Sequence, residues 1–204
     1  MEPALIYLPD FLAAEMAQEI FAKLQDEVDW QQGQVRMFGK TLPEPRLSAW
    51  YGDAAYTYSG RTLLPHPWTP LLRELSLKIE AAAKAMFDEH SSKVSSKVNS
   101  KISFNSVLLN LYRNGRDHMG LHSDDEPELG PEPLIASLSL GANRRFVLRH
   151  KQDPDRRHQI LLSHGSLLLM LHPTQRDWKH GLPKAAGIDL PRINLTFRRI
   201  IPKA

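Results

Sequence analysis

Asn110-Leu111-Tyr112-Arg113-Asn114-Gly115-Arg116-Asp117-His118-Met119-Gly120-Leu121-His122-Ser123-Asp124-Asp125-Glu126 is the stretch whose reading decides the fold. An apolar, strand-like run from Phe104 to Tyr112 leads into it. At its end His122 and Asp124 are separated by one residue. In extended backbone, positions i and i+2 point the same way, so an imidazole and a carboxylate at this spacing can share one ion. The rival pair, His118 with His122 at i, i+4, suits zinc on a helix. Gly115 and Gly120 flank that pair and make a helix there unfavourable. An H-x-D pair by itself is common, so a third ligand is required, and His180 within Trp178-Lys179-His180-Gly181 supplies a candidate.

Two histidines and one carboxylate form the ligand set of non-haem Fe(II) oxygenases, which leaves positions open on the metal. The company downstream strengthens this reading. In Arg192-Ile193-Asn194-Leu195-Thr196-Phe197-Arg198, strand alternation puts Arg192, Asn194, Thr196 and Arg198 on one face and Ile193, Leu195 and Phe197 on the other. A strand that turns two arginines inward needs anions to meet them. A dicarboxylate co-substrate at an iron centre is such an anion.

These residues resemble the AlkB-type 2-oxoglutarate/Fe(II) dioxygenases, most closely the branch that repairs alkylated bases in double-stranded DNA. The resemblance rests on Asn110-x-Tyr112, Gly115-x-Asp117-x-x-Gly120-x-His122-x-Asp124-Asp125-Glu126 and the run Pro133 to Gly141. It continues through His164-Gly165-Ser166-Leu167-Leu168, Trp178-x-His180 and Arg192 to Arg198, covering residues 35 to 201 in order. It implies a mostly β, α+β fold: a double-stranded β-helix (jelly roll) with N-terminal helices packed on one sheet. The expected organisation is a single domain over 1–204, with a nucleotide-recognition lid over 35–62 and the catalytic jelly-roll core over 104–201. Short strands throughout, with helices mostly early, suit that fold independently.

Composition narrows the remaining classes. At 204 residues the chain is long enough to bury a real core. It has no cysteine, which excludes disulfides, thiolate zinc sites and iron–sulfur clusters. No charged-then-apolar leader is visible, and no apolar run approaches about 18 residues. The expectation is a soluble intracellular monomer, cytoplasmic or nuclear, with no membrane partner. A net charge of +3 permits a polyanionic partner without demanding one.

Taken in order, Ile6 to Leu12 reads as a short strand and turn. Residues 13–28 read as a helix with Met16, Ile20, Phe21 and Leu24 on its apolar stripe. Leu47 to Gly52 is strand-like, and Trp68 to Glu89 is a long helix with Leu72, Leu75, Ile79, Ala82, Ala83 and Met86 inward. The Ser/Lys-biased stretch 91–103 is an exposed connection, and Lys93, Lys97 and Lys101 read as solvated, with phosphate contacts as the alternative. Pro133 to Leu140, Phe146 to Leu148, Ser166 to Leu171 and Pro191 to Ile201 are further strands. His164 and His172 read as structural.

The resemblance also implies roles. Fe(II) would take His122, Asp124 and His180 as its catalytic and metal residues. 2-Oxoglutarate would place its distal carboxylate on Arg192, with Arg198, Asn110, Tyr112 and Asn194 around its remaining oxygens; O2 is the third reactant. Decarboxylation to succinate would drive oxidation of an N-linked methyl, released as formaldehyde from 1-methyladenine or 3-methylcytosine. Tyr58 and His122 would stack on the flipped base, Tyr56 would hydrogen-bond nearby, and Glu126 would favour its positive charge. Ordinary packing remains the alternative for both tyrosines. Met37-Phe38-Gly39-Lys40 would wedge into the duplex, or form a plain hairpin turn with a tucked Phe38. Arg46, Arg149, Lys151, Arg156 and Arg157 would grip phosphates, with surface charge without function as the alternative for the basic loop 149–157. The partner would be alkylated DNA, double- or single-stranded. The competing functions are an RNA demethylase, a protein hydroxylase, and a nucleic-acid-binding module with a structural metal. Phe38→Ala is expected to lower turnover on methylated duplexes by about tenfold, the scale of one unassisted unstacking step, and to affect single strands less. Equal losses on both substrates would remove the wedge.

Overall fold

The computed structural model describes residues 2–37, 39–53, 56–58, 61–63, 65–89 and 102–201. The first half runs β1 (Leu5–Leu8), α1 (Ala14–Glu27), β2 (Gln34–Met37), β3 (Lys40–Pro43), β4 (Leu47–Gly52), β5 (Tyr56–Tyr58), β6 (Arg61–Leu63) and α2 (Pro70–Glu89). The second half is nearly all strand: β7 (Ser106–Tyr112), β8 (Met119–His122), β9 (Ile135–Gly141), β10 (Arg144–His150), β11 (Arg157–Leu162) and β12 (Ser166–Met170). A four-residue helix, α3 (Thr174–Asp177), precedes β13 (Trp178–Leu182) and β14 (Arg192–Arg198). The expectations placed on Phe38, on the Met37, Tyr56 and Tyr58 side chains and on Lys93, Lys97 and Lys101 lie outside the described residues. No described helix is long and apolar enough to cross a membrane.

The major sheet has the order β1-β12-β9-β14-β7-β4 and the minor sheet β11-β10-β13-β8. From β7 onward the chain alternates between them: β7 major, β8 minor, β9 major, β10 and β11 minor, β12 major, β13 minor, β14 major. That repeated crossing makes a jelly roll. The hairpins β2–β3 and β5–β6 pair with neither sheet, whereas β4, within the range expected for the lid, is the edge strand of the major sheet.

Both faces of the major sheet are buried, for different reasons. Its outer face (Leu109, Leu111, Leu138, Leu140, Ile193, Leu195, Phe197) packs against the two long helices. α1 contributes Ala17, Ile20, Phe21 and Leu24 at i, i+3, i+4, i+7 spacing. Met16, expected on that stripe, is 44% exposed; the face rotates to Ala17, which lets the helix approach the sheet closely. α2 begins at Pro70, not Trp68, because the Thr69 hydroxyl accepts the Leu72 N–H at 3.2 Å and proline fits a first helical position. Its buried face is Leu72, Leu75, Ile79, Ala83 and Phe87, with Ala82 and Met86 only half-buried.

The space between the sheets is divided. One end is apolar, where Ile135, Leu168 and Met170 of the major sheet meet Phe146, Leu148, Leu162 and Trp178 of the minor one. The other end is polar, with Asn110, Ser137, Ser139, Arg192, Asn194, Thr196 and Arg198 all buried on the major sheet. The sequences of β11 and β13 do not by themselves predict strands; cross-strand pairing to β10 organises both. Phe197→Ala, at a fully buried site 6.1 Å ring-to-ring from Phe104, is expected to cost about 3–5 kcal/mol in urea unfolding.

Candidate active site

His122 is the last residue of β8 and lies directly opposite His180 of β13 in the antiparallel register. Opposed residues share a face, and the two rings stand 4.3 Å apart. Two residues beyond the strand end, Asp124 turns its carboxylate to the same place, with Oδ1 3.8 Å from His122 Nε2. Ligand atoms of the three residues lie within 4.8 Å of one another. The spacing expected from the sequence is therefore brought together across two strands and a loop.

The surroundings fix each group. His122 Nδ1 faces the Gly120 carbonyl at 3.0 Å, so the proton belongs there and Nε2 keeps its lone pair for the site. The Asp124 N–H donates to Gln175 Oε1 at 3.0 Å, and Arg198 Nη2 donates to Asp124 Oδ2 at 2.8 Å. Burial alone would raise the Asp124 carboxyl, but Arg198, His180 and His122 outweigh it and hold it at about 2. Burial and the neighbouring His122 push the His180 ring down to about 3 against the pull of Asp124. At neutral pH the carboxylate is thus charged and the His180 ring neutral, the states in which both offer lone pairs. Asp124 Oδ1 and His180 Nδ1 are buried without a hydrogen-bond partner. Buried polar atoms are rarely left so, and a cation among these three side chains would satisfy the carboxylate oxygen.

The cavity that opens on this cluster is lined by Asn110, Tyr112, Asn194, Thr196, Arg192 and Arg198, with Phe146 and Met170 at the apolar end. Its two arginines differ. Arg198 is paired with Asp124, whereas Arg192 has no carboxylate within ion-pair range among the described residues. Arg192 Nη2 donates to Ser139 Oγ and Asn194 Oδ1, both at 2.8 Å, and its Nε is buried without a partner. Burial, together with the nearby Arg144, lowers this guanidinium to about 10 against the opposing effect of Tyr112, so it remains charged at neutral pH. A desolvated cation with spare donors suits an anionic ligand in the cavity.

Other expected residues fall in distinct places. Asn110 accepts a 2.9 Å bond from Arg46 Nε, and Asn194 also bonds Ser137 and Thr196. Arg46, expected at a phosphate, is only 6% exposed and is held by Asn110 and by Glu44 at 3.1 Å. Its charge serves the wall behind the cavity and does not reach the surface. Glu126 is half-buried at the start of the 3-10 turn Pro127–Leu129. Lys151 reaches Asp125 at 3.0 Å and the Gln175 carbonyl at 2.9 Å, tying the β10–β11 connection to the loop that carries Asp124. Arg149 and Arg157 are exposed cross-strand neighbours, and Arg156 lies 3.5 Å from Glu2. Gly39 and Lys40 are exposed at the tip of the β2–β3 hairpin. Gln175, Ser137 and Ser139 were not anticipated. For the serines a signal existed: they alternate within the otherwise apolar strand β9. Gln175 gave none, since its role depends on α3 facing the β8 loop.

A model of the 2OG-Fe(II) oxygenase superfamily matches residues 4–198. The chain is 44% identical over 197 residues to a Homo sapiens protein named DNA oxidative demethylase ALKBH2, covering 91% of this chain and 69% of that one. It is 42% identical over 203 residues to alpha-ketoglutarate-dependent dioxygenase alkB homolog 3 of Bos taurus, covering 95% of this chain. It spans 65% of that relative's length. Among solved structures, that of OsALKBH1 superposes with a TM-score of 0.64 at 19% identity, covering 98% of this chain and 99% of the other. A prolyl-4-hydroxylase from Pseudomonas putida gives 0.58 at 14% identity, with 97% and 93% covered. These two likenesses bear on the fold. Asp124→Ala is expected to abolish divalent-metal binding and, by removing one partner of the buried Asp124–Arg198 pair, to cost about 3–5 kcal/mol. Asp124→Asn should lose the metal at a smaller stability cost. Mn(II) titration beside urea unfolding checks both; unchanged metal affinity in either variant removes Asp124 from the ligand set.

Proposed function

The chain belongs to the 2OG-Fe(II) oxygenase superfamily, and from that premise we propose that it is a dioxygenase removing N-linked methyl groups from 1-methyladenine and 3-methylcytosine in DNA. The observation that carries the proposal is the His122–Asp124–His180 cluster sharing one cavity with Arg192, a buried guanidinium without a carboxylate of its own among the described residues. Iron(II) and a keto diacid are the pair that such a cavity suits.

His122, Asp124 and His180 would hold the metal, which would supply the oxidising power for a reaction that consumes O2 and 2-oxoglutarate and releases succinate, carbon dioxide and formaldehyde. Arg192 anchors the distal carboxylate of 2-oxoglutarate. Its geometry is set in advance by Ser139 and Asn194, so little ordering is lost on binding. Arg198 keeps Asp124 ionised and leaves its other oxygen facing His122, where it would be available to the metal. Asn110 and Tyr112 line the path between them. Phe146, Met170 and Leu182 keep water from the apolar end.

The name of a relative, DNA oxidative demethylase, supports alkylated DNA as the substrate. Within residues 35–62 the β2–β3 and β5–β6 hairpins, and not the sheet strand β4 between them, serve as the recognition lid, with Tyr58 stacking on the everted base and the β2–β3 hairpin tip at the duplex. Glu126 favours the cationic lesion. Arg149, Lys151, Arg156 and Arg157 engage phosphates, and the Lys151 link to Asp125 supports a backbone path beside the metal loop.

The test is mass spectrometry of methylated DNA duplexes, DNA single strands and RNA incubated with iron, ascorbate and 2-oxoglutarate. Loss of the methyl group from DNA, dependent on 2-oxoglutarate, is the expected result; turnover confined to RNA would redirect the substrate, and none on any strand would overturn the proposal. Arg192→Ala is expected to raise the 2-oxoglutarate requirement more than about tenfold, the loss of one buried charge-assisted bond. An unchanged requirement would end its anchoring role.

A further inference from the structure

A further buried guanidinium lies behind the cavity. Arg144, on the first residue of β10, is 1% exposed and does not line the cavity. Among the described residues its bonds go only to main-chain carbonyls: Nη1 to Asn114 at 3.2 Å, Nη2 to Asp117 at 2.9 Å and Nη2 to Pro183 at 2.8 Å. Its Nε is buried without a partner. Among the described residues the one carboxylate near enough to act on it, Asp117, is already forked by Arg113 at 2.7 and 3.0 Å. The Arg144 guanidinium carbon sits 5.8 Å from the Tyr112 ring centre, and that of Arg192 sits 5.4 Å from the same ring.

Two consequences follow. The carbonyls that Arg144 binds belong to the two loops bounding the site, 113–117 before β8 and 183–188 after β13. Those loops are also zipped at Gly115, whose N–H donates to Ile188 and whose carbonyl accepts from Ala185. A side chain at Gly115 would collide with the Ala185 carbonyl, so the approach is as close as backbone allows. Arg144 therefore holds the strands bearing His122 and His180 at their shared end. It also leaves its charge unspent: Asp124 is matched by Arg198 and Asp117 by Arg113, while Arg192 and Arg144 have no carboxylate to themselves among the described residues.

We propose that Arg144 is a positioning and selectivity residue that, from behind Tyr112, adds the second positive charge by which the cavity prefers a dicarboxylate over a monocarboxylate keto acid. This rests on Arg192 as the anchor for the distal carboxylate. Arg144 packs Tyr112 against that anchor and raises the local potential without touching the ligand. A residue that merely braced the fold would weaken all ligands together. One acting through charge at the distal carboxylate weakens the dianion selectively.

The experiment is calorimetric binding of 2-oxoglutarate and of 2-oxobutyrate, which lacks the distal carboxylate, to the Mn(II)-loaded full chain without oxygen. Arg144→Gln is expected to weaken 2-oxoglutarate about tenfold, the scale of one charge acting at a short distance in a protein interior, and to leave 2-oxobutyrate nearly unchanged. Arg144→Lys should restore most of the loss. Should Arg144→Gln fail to fold, Arg113→Gln replaces it: freeing Asp117 to neutralise Arg144 is expected to weaken 2-oxoglutarate in the same selective way. Equal weakening of both ligands, or no weakening of either, overturns the inference. Wild-type protein that binds no 2-oxoglutarate, or Arg192→Ala that binds it normally, overturns instead the reading on which it rests.

Discussion

Asp124 follows a strand of the minor sheet and Arg198 ends a strand of the major one, so their 2.8 Å bond crosses the sandwich. Both side chains are almost wholly buried, at 1% and 4% exposure. Such a pair recovers little net stability, because desolvation offsets most of the attraction. Its value is orientation. It keeps the carboxylate ionised where burial alone would favour the neutral acid, and turns its second oxygen towards the two histidines. The His122–Asp124–His180 cluster exists only while the two sheets hold this separation.

That separation is set elsewhere. The outer face of the major sheet is clamped by α1 and α2 over a large apolar core, which makes the sheet a rigid platform. The smaller apolar cluster between the sheets fixes their distance at one end. The other end is then free to carry polar groups that could not have folded the protein themselves. Along β14 the alternation does both jobs, with Ile193, Leu195 and Phe197 outward into the helices and Arg192, Asn194, Thr196 and Arg198 inward to the cavity. The Arg46–Asn110 bond links the same cavity wall to the chain leaving the β2–β3 hairpin.

The jelly roll, the three candidate ligands and the inward face of β14 were all legible in the sequence. An H-x-D pair dictates convergence within a strand end, and period-two alternation assigns faces whatever the partner strand. Helix existence was equally plain, although its facing was not: Met16 and Met86 fit the period as well as the alanine and phenylalanine that are buried in their place. Strands β11 and β13 were missed because their residues alternate weakly, and pairing to β10 overrides local preference.

What the sequence determined by itself is therefore everything governed by local period and ligand chemistry: the strand-rich class, the His–Asp–His set, and the presence of arginines facing inward. What only the tertiary structure decided is how the charges are shared. Two identical guanidiniums on one strand face have different roles because one meets Asp124 and the other meets only hydroxyl and amide groups. Arg46 turns inward, and Arg144, behind Tyr112, has no carboxylate to itself among the described residues. Spacing along a chain can say which side chains share a face, but Coulomb energy depends on distance and burial between segments far apart in sequence, and only the folded sheets set those.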